Sequence, residues 1–157
     1  MVVVDVTAPL SVPFRFIVGV LAGIVATLAM DGVMAQLPEG NTPPSIAAGV
    51  LTENQPADAP DRLGTVVHYI AGLLTGPLFV WVLFGAEAVL DGPSLLSTAA
   101  ATVTLYVLMV GFFAVVVLPR SQVAGQRLGT IRRDWALCAL TYLLVLVPLV
   151  ELASRAL

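Results

Sequence analysis

Apolar residues run along this chain in four long stretches, separated by more polar segments of unequal length. They cover roughly 14–36, 64–90, 94–118 and 134–153. An α-helix rises about 1.5 Å per residue, so about 20 apolar residues cross the hydrocarbon of a bilayer. Each stretch reaches that length. None alternates apolar with polar residues, as the strands of a membrane β-barrel do. The pattern predicts an all-α fold, a four-helix transmembrane bundle forming one domain over 1–157. Prolines punctuate it. Pro13 stands before the first stretch, Pro119 closes the third, and Asp91-Gly92-Pro93-Ser94 reads as a turn followed by a helix start. Pro77 and Pro148 fall inside spans two and four, where a proline kinks a membrane helix and its neighbours satisfy the freed carbonyls.

The segment 37–63 is long for so short a chain. It holds Pro38, Pro43, Pro44, Pro56 and Pro60 together with Glu39, Glu53, Asp58 and Asp61. Within it 45–51 is apolar and follows Pro43-Pro44, which predicts a short helix of one or two turns lying at the membrane interface. Val33-Met34-Ala35 has the small residues of a signal cleavage site. The preceding segment carries Asp5 and only Arg15, without the basic cluster of a leader, so the first span is read as retained.

Composition supports a membrane class. Of 157 residues, 59% are hydrophobic and 11% charged, and mean hydropathy is +0.99. A water-soluble domain of this size needs far more polar surface. Net charge is −3 and all seven basic residues are Arg, so the basic stripe of a nucleic-acid-binding protein is missing. Arg also sets orientation. Loops one and three hold Arg62, Arg120, Arg127, Arg132 and Arg133, against Arg15 and Arg155 on the terminal flanks. The positive-inside rule then places those loops in the cytoplasm and both termini outside.

The first span carries Gly19, Gly23, Thr27 and Asp31, each four residues after the last, and hence on one helical face. The second carries His68, Gly72 and Gly76 in the same way. Small residues let membrane helices approach closely. Pairing Gly23 with Gly76 and Thr27 with Gly72, in antiparallel neighbours, sets Asp31 opposite His68. An ionised Asp inside a span costs about 2.5–3.5 kcal/mol on insertion scales. His68 is the chain's one imidazole and the natural partner; Arg133, at the head of the fourth span, is a second candidate. The pair reads either as a clamp fixing helix register or as a proton-handling or ligand site at the cytoplasmic mouth.

Other groups have plainer readings. Met30 and Met34 fill core rather than bind metal. Tyr106, Tyr142 and Thr102 carry hydroxyls suited to bonds across helices. Trp135 and Tyr69 sit where interfacial anchors sit. Glu87 and Arg15 lie near the outer boundary, facing water or each other. The third loop's arginines suit anionic headgroups as well as topology. Cys138 lies in an apolar run, and a single Cys excludes an internal disulfide and a multi-cysteine metal site. No catalytic or nucleotide-binding motif is present. One histidine cannot supply both ligands of a bis-His haem in one subunit, which leaves His–Met ligation or a dimer. No cofactor and no metal are expected.

The run Gly23-Ile24-Val25-Ala26-Thr27 with Met30 and Asp31, then Pro43-Pro44-Ser45-Ile46-Ala47-Ala48, then Leu63-Gly64, His68 and Gly72, resembles an uncharacterised family of small four-helix membrane proteins of bacteria and archaea. The resemblance covers about 19–119, and the acidic stretch 52–61 departs from it. It implies the fold and a role for His68, with no activity attached. The sequence reading is thus a multi-pass, non-catalytic structural or complex-forming protein of the cell membrane. Its partners would be the lipid bilayer and a homo-oligomer or larger complex, with no nucleic acid. The rivals are a small-solute or proton-conducting protein with Asp31 and His68 at its inner mouth, and a haem- or quinone-binding enzyme subunit.

Overall fold

The computed structural model describes residues 8–155, with side chains from 12 to 154. Asp5 and the Arg155 side chain, both used above, lie outside the described residues. Five helices form: α1 (Ala8–Met34), α2 (Thr42–Thr52), α3 (Asp61–Val89), α4 (Leu95–Phe112) and α5 (Leu128–Arg155). A π turn (Phe113–Val117) and a 3₁₀ turn (Leu118–Arg120) prolong α4, and a second 3₁₀ turn (Gly125–Arg127) leads into α5. There are no strands among the described residues. Four of the helices are long and apolar enough to cross a membrane, with mean hydropathy of 1.8 to 2.5 in their most apolar windows.

The ends differ from the sequence expectation in ways the backbone explains. Pro13 lies inside α1, which begins at Ala8. The loop helix is longer than one or two turns, because Pro43 and Pro44 sit in its first positions, where a missing N–H costs nothing. At the end of α4, Pro119 offers no N–H to the carbonyl of Val115. The ladder loosens to π spacing there, and the Leu118 N–H reaches Phe113 O. The predicted turn at 91–94 holds a left-handed Gly92 at φ 113° and ends in a capping box, with Ser94 and Ser97 bonding each other's backbone N–H. α5 starts six residues earlier than the apolar run, so Arg132 and Arg133 are helical rather than loop residues.

α1 packs along both α3 and α5, and α4 bridges α3 and α5. Contacts between opposite ends, Arg15 with Ser154 and Glu39 with Asp134, run α1 and α5 antiparallel. The shared core is Ala22, Ala26 and Met30 of α1 against Phe79 and Leu83 of α3, Leu105 of α4 and Tyr142 of α5. α2 lies across α3 and buries Ile46 with Phe113, Leu118 and Ile131. The outward faces are also apolar: Leu21, Leu74, Trp81, Val107 and Leu144 are all exposed. A domain surrounded by water does not present so much contiguous hydrocarbon.

Candidate functional site

The site begins as a helix contact. At Gly76 an added Cβ would collide with the Gly19 carbonyl oxygen, and at Gly23 it would lie 2.9 Å from Gly72 O and 3.4 Å from Gly76 Cα. At Gly72 it would strike the Thr27 hydroxyl. Only hydrogen at these positions lets the backbones of α1 and α3 touch. Thr27 turns its hydroxyl back onto Gly23 O of its own helix at 2.7 Å, and α5 adds a third strut, Tyr142 donating to Gly72 O at 2.6 Å.

This seam ends at Asp31. His68 Nε2 lies 2.6 Å from Asp31 Oδ1, and the Tyr69 hydroxyl donates to Oδ2, also at 2.6 Å. Consecutive residues of α3 point about 100° apart, so His68 and Tyr69 straddle the carboxylate and fill both oxygens. The two rings meet edge to face, 5.4 Å between centroids. The His68 side chain is 11% exposed and that of Asp31 32%. Tyr69, read from sequence as an interfacial anchor, is a partner of Asp31; its place beside His68 was the available signal.

Arg133 is not that partner. Its guanidinium donates twice to Oδ1 of the neighbouring Asp134, at 2.9 and 2.8 Å. Asp134 is wholly buried and its Oδ2 accepts the Glu39 N–H at 2.8 Å, fastening the end of α1 to α5. Glu39 in turn holds Arg127 with two bonds of 2.7 Å. That guanidinium keeps the Glu39 carboxyl below the usual carboxylate value, ahead of the opposing effect of burial. At the far end Arg15 forks onto Glu87 at 3.0 and 2.8 Å and stacks 4.7 Å above the Phe84 ring, so these two residues pair.

The remaining candidates divide. Tyr106 donates across to Ala136 O at 3.3 Å, whereas Thr102 bonds Thr98 O within its own helix. Trp135 turns inward: its N–H donates to Met109 O at 3.2 Å and its ring lies 4.8 Å from Phe113. Met30 and Met34 are buried core. Among the described residues no three His, Cys, Asp or Glu gather as a metal site.

Beside His68 lies a cavity of about 250 Å³. α1 gives it Thr27 and Met30, α3 gives His68, Ala71 and Gly72, and the π turn, α2 and α5 close it with Phe113, Pro43 and Trp135. Its size is below the range of about 300–1,000 Å³ common for drug-sized ligands, which suits a compact body and not a tetrapyrrole. A larger hollow of about 770 Å³, lined by Trp81, Val89 and Ala100, is wide open and has no titratable group in its lining. Compared with known family models, with characterised proteins and with solved structures, the chain matches none.

Proposed function

We propose that this chain is a four-span integral membrane protein, non-catalytic, serving as a structural or complex-forming component of the cell membrane. The loop bearing α2 and the loop after α4 face the cytoplasm, both termini lie outside, and α2 rests at the inner interface. It stands with the small four-helix proteins its sequence resembles. The observation that carries the reading is the glycine seam capped by Asp31, His68 and Tyr69. In hydrocarbon, helices associate through close backbone contact and paired polar groups, and this seam offers both. The exposed apolar faces of the long helices then meet lipid or a partner's helix. Conduction has less support. The cavity beside His68 is walled mainly by carbon, and a water chain needs a succession of hydrogen-bonding groups.

Two measurements test this. Alkaline extraction leaves the protein in the membrane pellet. In a Cys138→Ala background, Ser121→Cys is labelled from the cytoplasmic side and Pro93→Cys from outside; the reverse pattern overturns the orientation. In vesicles, Asp31→Asn and His68→Ala lower thermal stability while proton flux stays at the protein-free level. Flux present in the native protein and absent in both variants would instead establish conduction.

A further inference from the structure

Four polar side chains line the cavity besides His68, and each is already engaged. Thr27 bonds Gly23 O, Thr75 bonds Ala71 O, Tyr142 bonds Gly72 O and the Trp135 N–H bonds Met109 O. His68 is different. Its Nε2 is held by Asp31, while Nδ1 makes no hydrogen bond to any described residue. Nor is Nδ1 sealed in, because every fully buried polar side-chain atom has a partner. With the Asp31 carboxylate ionised, Oδ2 accepts from Tyr69 and Oδ1 accepts from the His68 tautomer whose Nε2 carries the hydrogen. In the neutral ring Nδ1 is then the acceptor. The arrangement of carboxylate, imidazole and free nitrogen is the one by which a carboxylate aims a histidine at a bound molecule.

The rest of the cavity narrows the class of molecule that would fit. Phe112, Phe113, Trp135 and Tyr142 supply aromatic walls, which favour a flat ring in offset or edge contact. One acceptor and apolar walls complement one donor on a compact apolar body. Ala71 and Phe112 line the cavity and are also exposed, so it opens sideways between α3 and the end of α4. In a membrane that mouth faces the acyl chains rather than water. We infer that His68 Nδ1 opens into this cavity, and that the cavity binds the hydroxylated ring of a compact, lipid-soluble phenol whose O–H donates to it. A ketone or an ether of the same shape lacks the donor and leaves Nδ1 unmatched. The sideways entry rests on the membrane reading above; the pocket chemistry does not.

The chain is well suited to a direct test, having one His and two Trp. Trp81 is 68% exposed and away from the cavity, so Trp81→Phe leaves Trp135 as sole reporter. The probes are 4-tert-butylphenol and its methyl ether, titrated into the full chain in mild detergent. Binding is read by Trp135 emission and by the ¹⁵N resonances of the single labelled histidine. The phenol saturates and moves the Nδ1 resonance, and it binds about tenfold more tightly than the ether, the worth of about one hydrogen bond. Ala71→Phe, which blocks the mouth and leaves Asp31, His68 and Tyr69 in place, abolishes saturation. Equal, unsaturating responses to both probes, an unmoved Nδ1 resonance, or unchanged binding in Ala71→Phe overturn the inference. Release of the protein by alkaline extraction would overturn the membrane reading alone, since saturable binding in detergent would persist.

Discussion

Gly72→Ala is the sharpest test of the seam. The new Cβ would strike Thr27 Oγ1 and lie 3.0 Å from Thr27 Cγ2 and 3.1 Å from its Cβ. Thr27 is 1% exposed and its hydroxyl is tied to Gly23 O, so rotating it away from the new Cβ breaks that bond inside the core. The helices must part by on the order of 1 Å to restore ordinary contact. Overpacking of this kind costs about 3 kcal/mol at the upper end of its usual range. Straining the Tyr142 bond to Gly72 O adds about 1 kcal/mol. The better helix propensity of Ala returns about 1 kcal/mol. The net expectation is a loss of about 3 kcal/mol. In a Thr27→Ala background both clashing atoms are gone and the nearest contact left is the 3.1 Å approach to the residue's Cβ, which a shift of tenths of an ångström relieves. There Gly72→Ala should cost about 1 kcal/mol or less, a coupling of about 2 kcal/mol or more between the sites. Gly85→Ala is the control: a Cβ there meets nothing within 4 Å, and stability should hold or rise. The assay is unfolding by SDS in mild detergent, followed by helical circular dichroism. An equal loss from Gly72→Ala in both backgrounds would refute the direct contact, and no loss in either would refute the close approach.

Tyr142→Phe removes the bond to Gly72 O without creating a cavity, so the same assay should show a loss of about 1 kcal/mol. Asp134→Ala strips the Glu39 N–H and Arg133 of their buried acceptor; the expected loss is about 2 kcal/mol, and amide exchange at Glu39 should accelerate. The Glu39–Arg127 latch makes stability pH-dependent. Arg127 and the Thr42 hydroxyl face this carboxyl, and its folded value lies below the ordinary 4.5. The unfolded chain therefore binds the proton first, and the latch contributes fully above that ordinary value and is lost as pH falls through the folded one. Melting temperatures of native protein and Glu39→Gln, measured from neutral to strongly acidic pH, should differ at neutrality and converge in acid; a constant gap would refute it.

Much of this protein was legible before any coordinate. Four apolar runs of membrane length specify four long helices, because a buried backbone must satisfy its own hydrogen bonds. The four-residue spacing from Gly19 to Asp31 and from His68 to Gly76 fixes one face on each of two neighbouring helices, and close approach along those faces brings Asp31 and His68 together. Local periodicity and a single imidazole suffice for that, since both helices are consecutive long elements joined by one connection. What only the tertiary structure decided depends on elements remote in the chain. Glu39 reaches Arg127 and gives its N–H to the buried Asp134, and Arg15 forks onto Glu87 across 72 positions. Tyr69 shares Asp31, Trp135 faces inward, and a π turn forced by Pro119 helps wall a cavity that leaves one imidazole nitrogen free. Periodicity assigns a residue to a face, but the neighbour it meets there depends on how separate helices are rotated and shifted against each other. That is a property of packing in three dimensions, and no spacing along one helix encodes it.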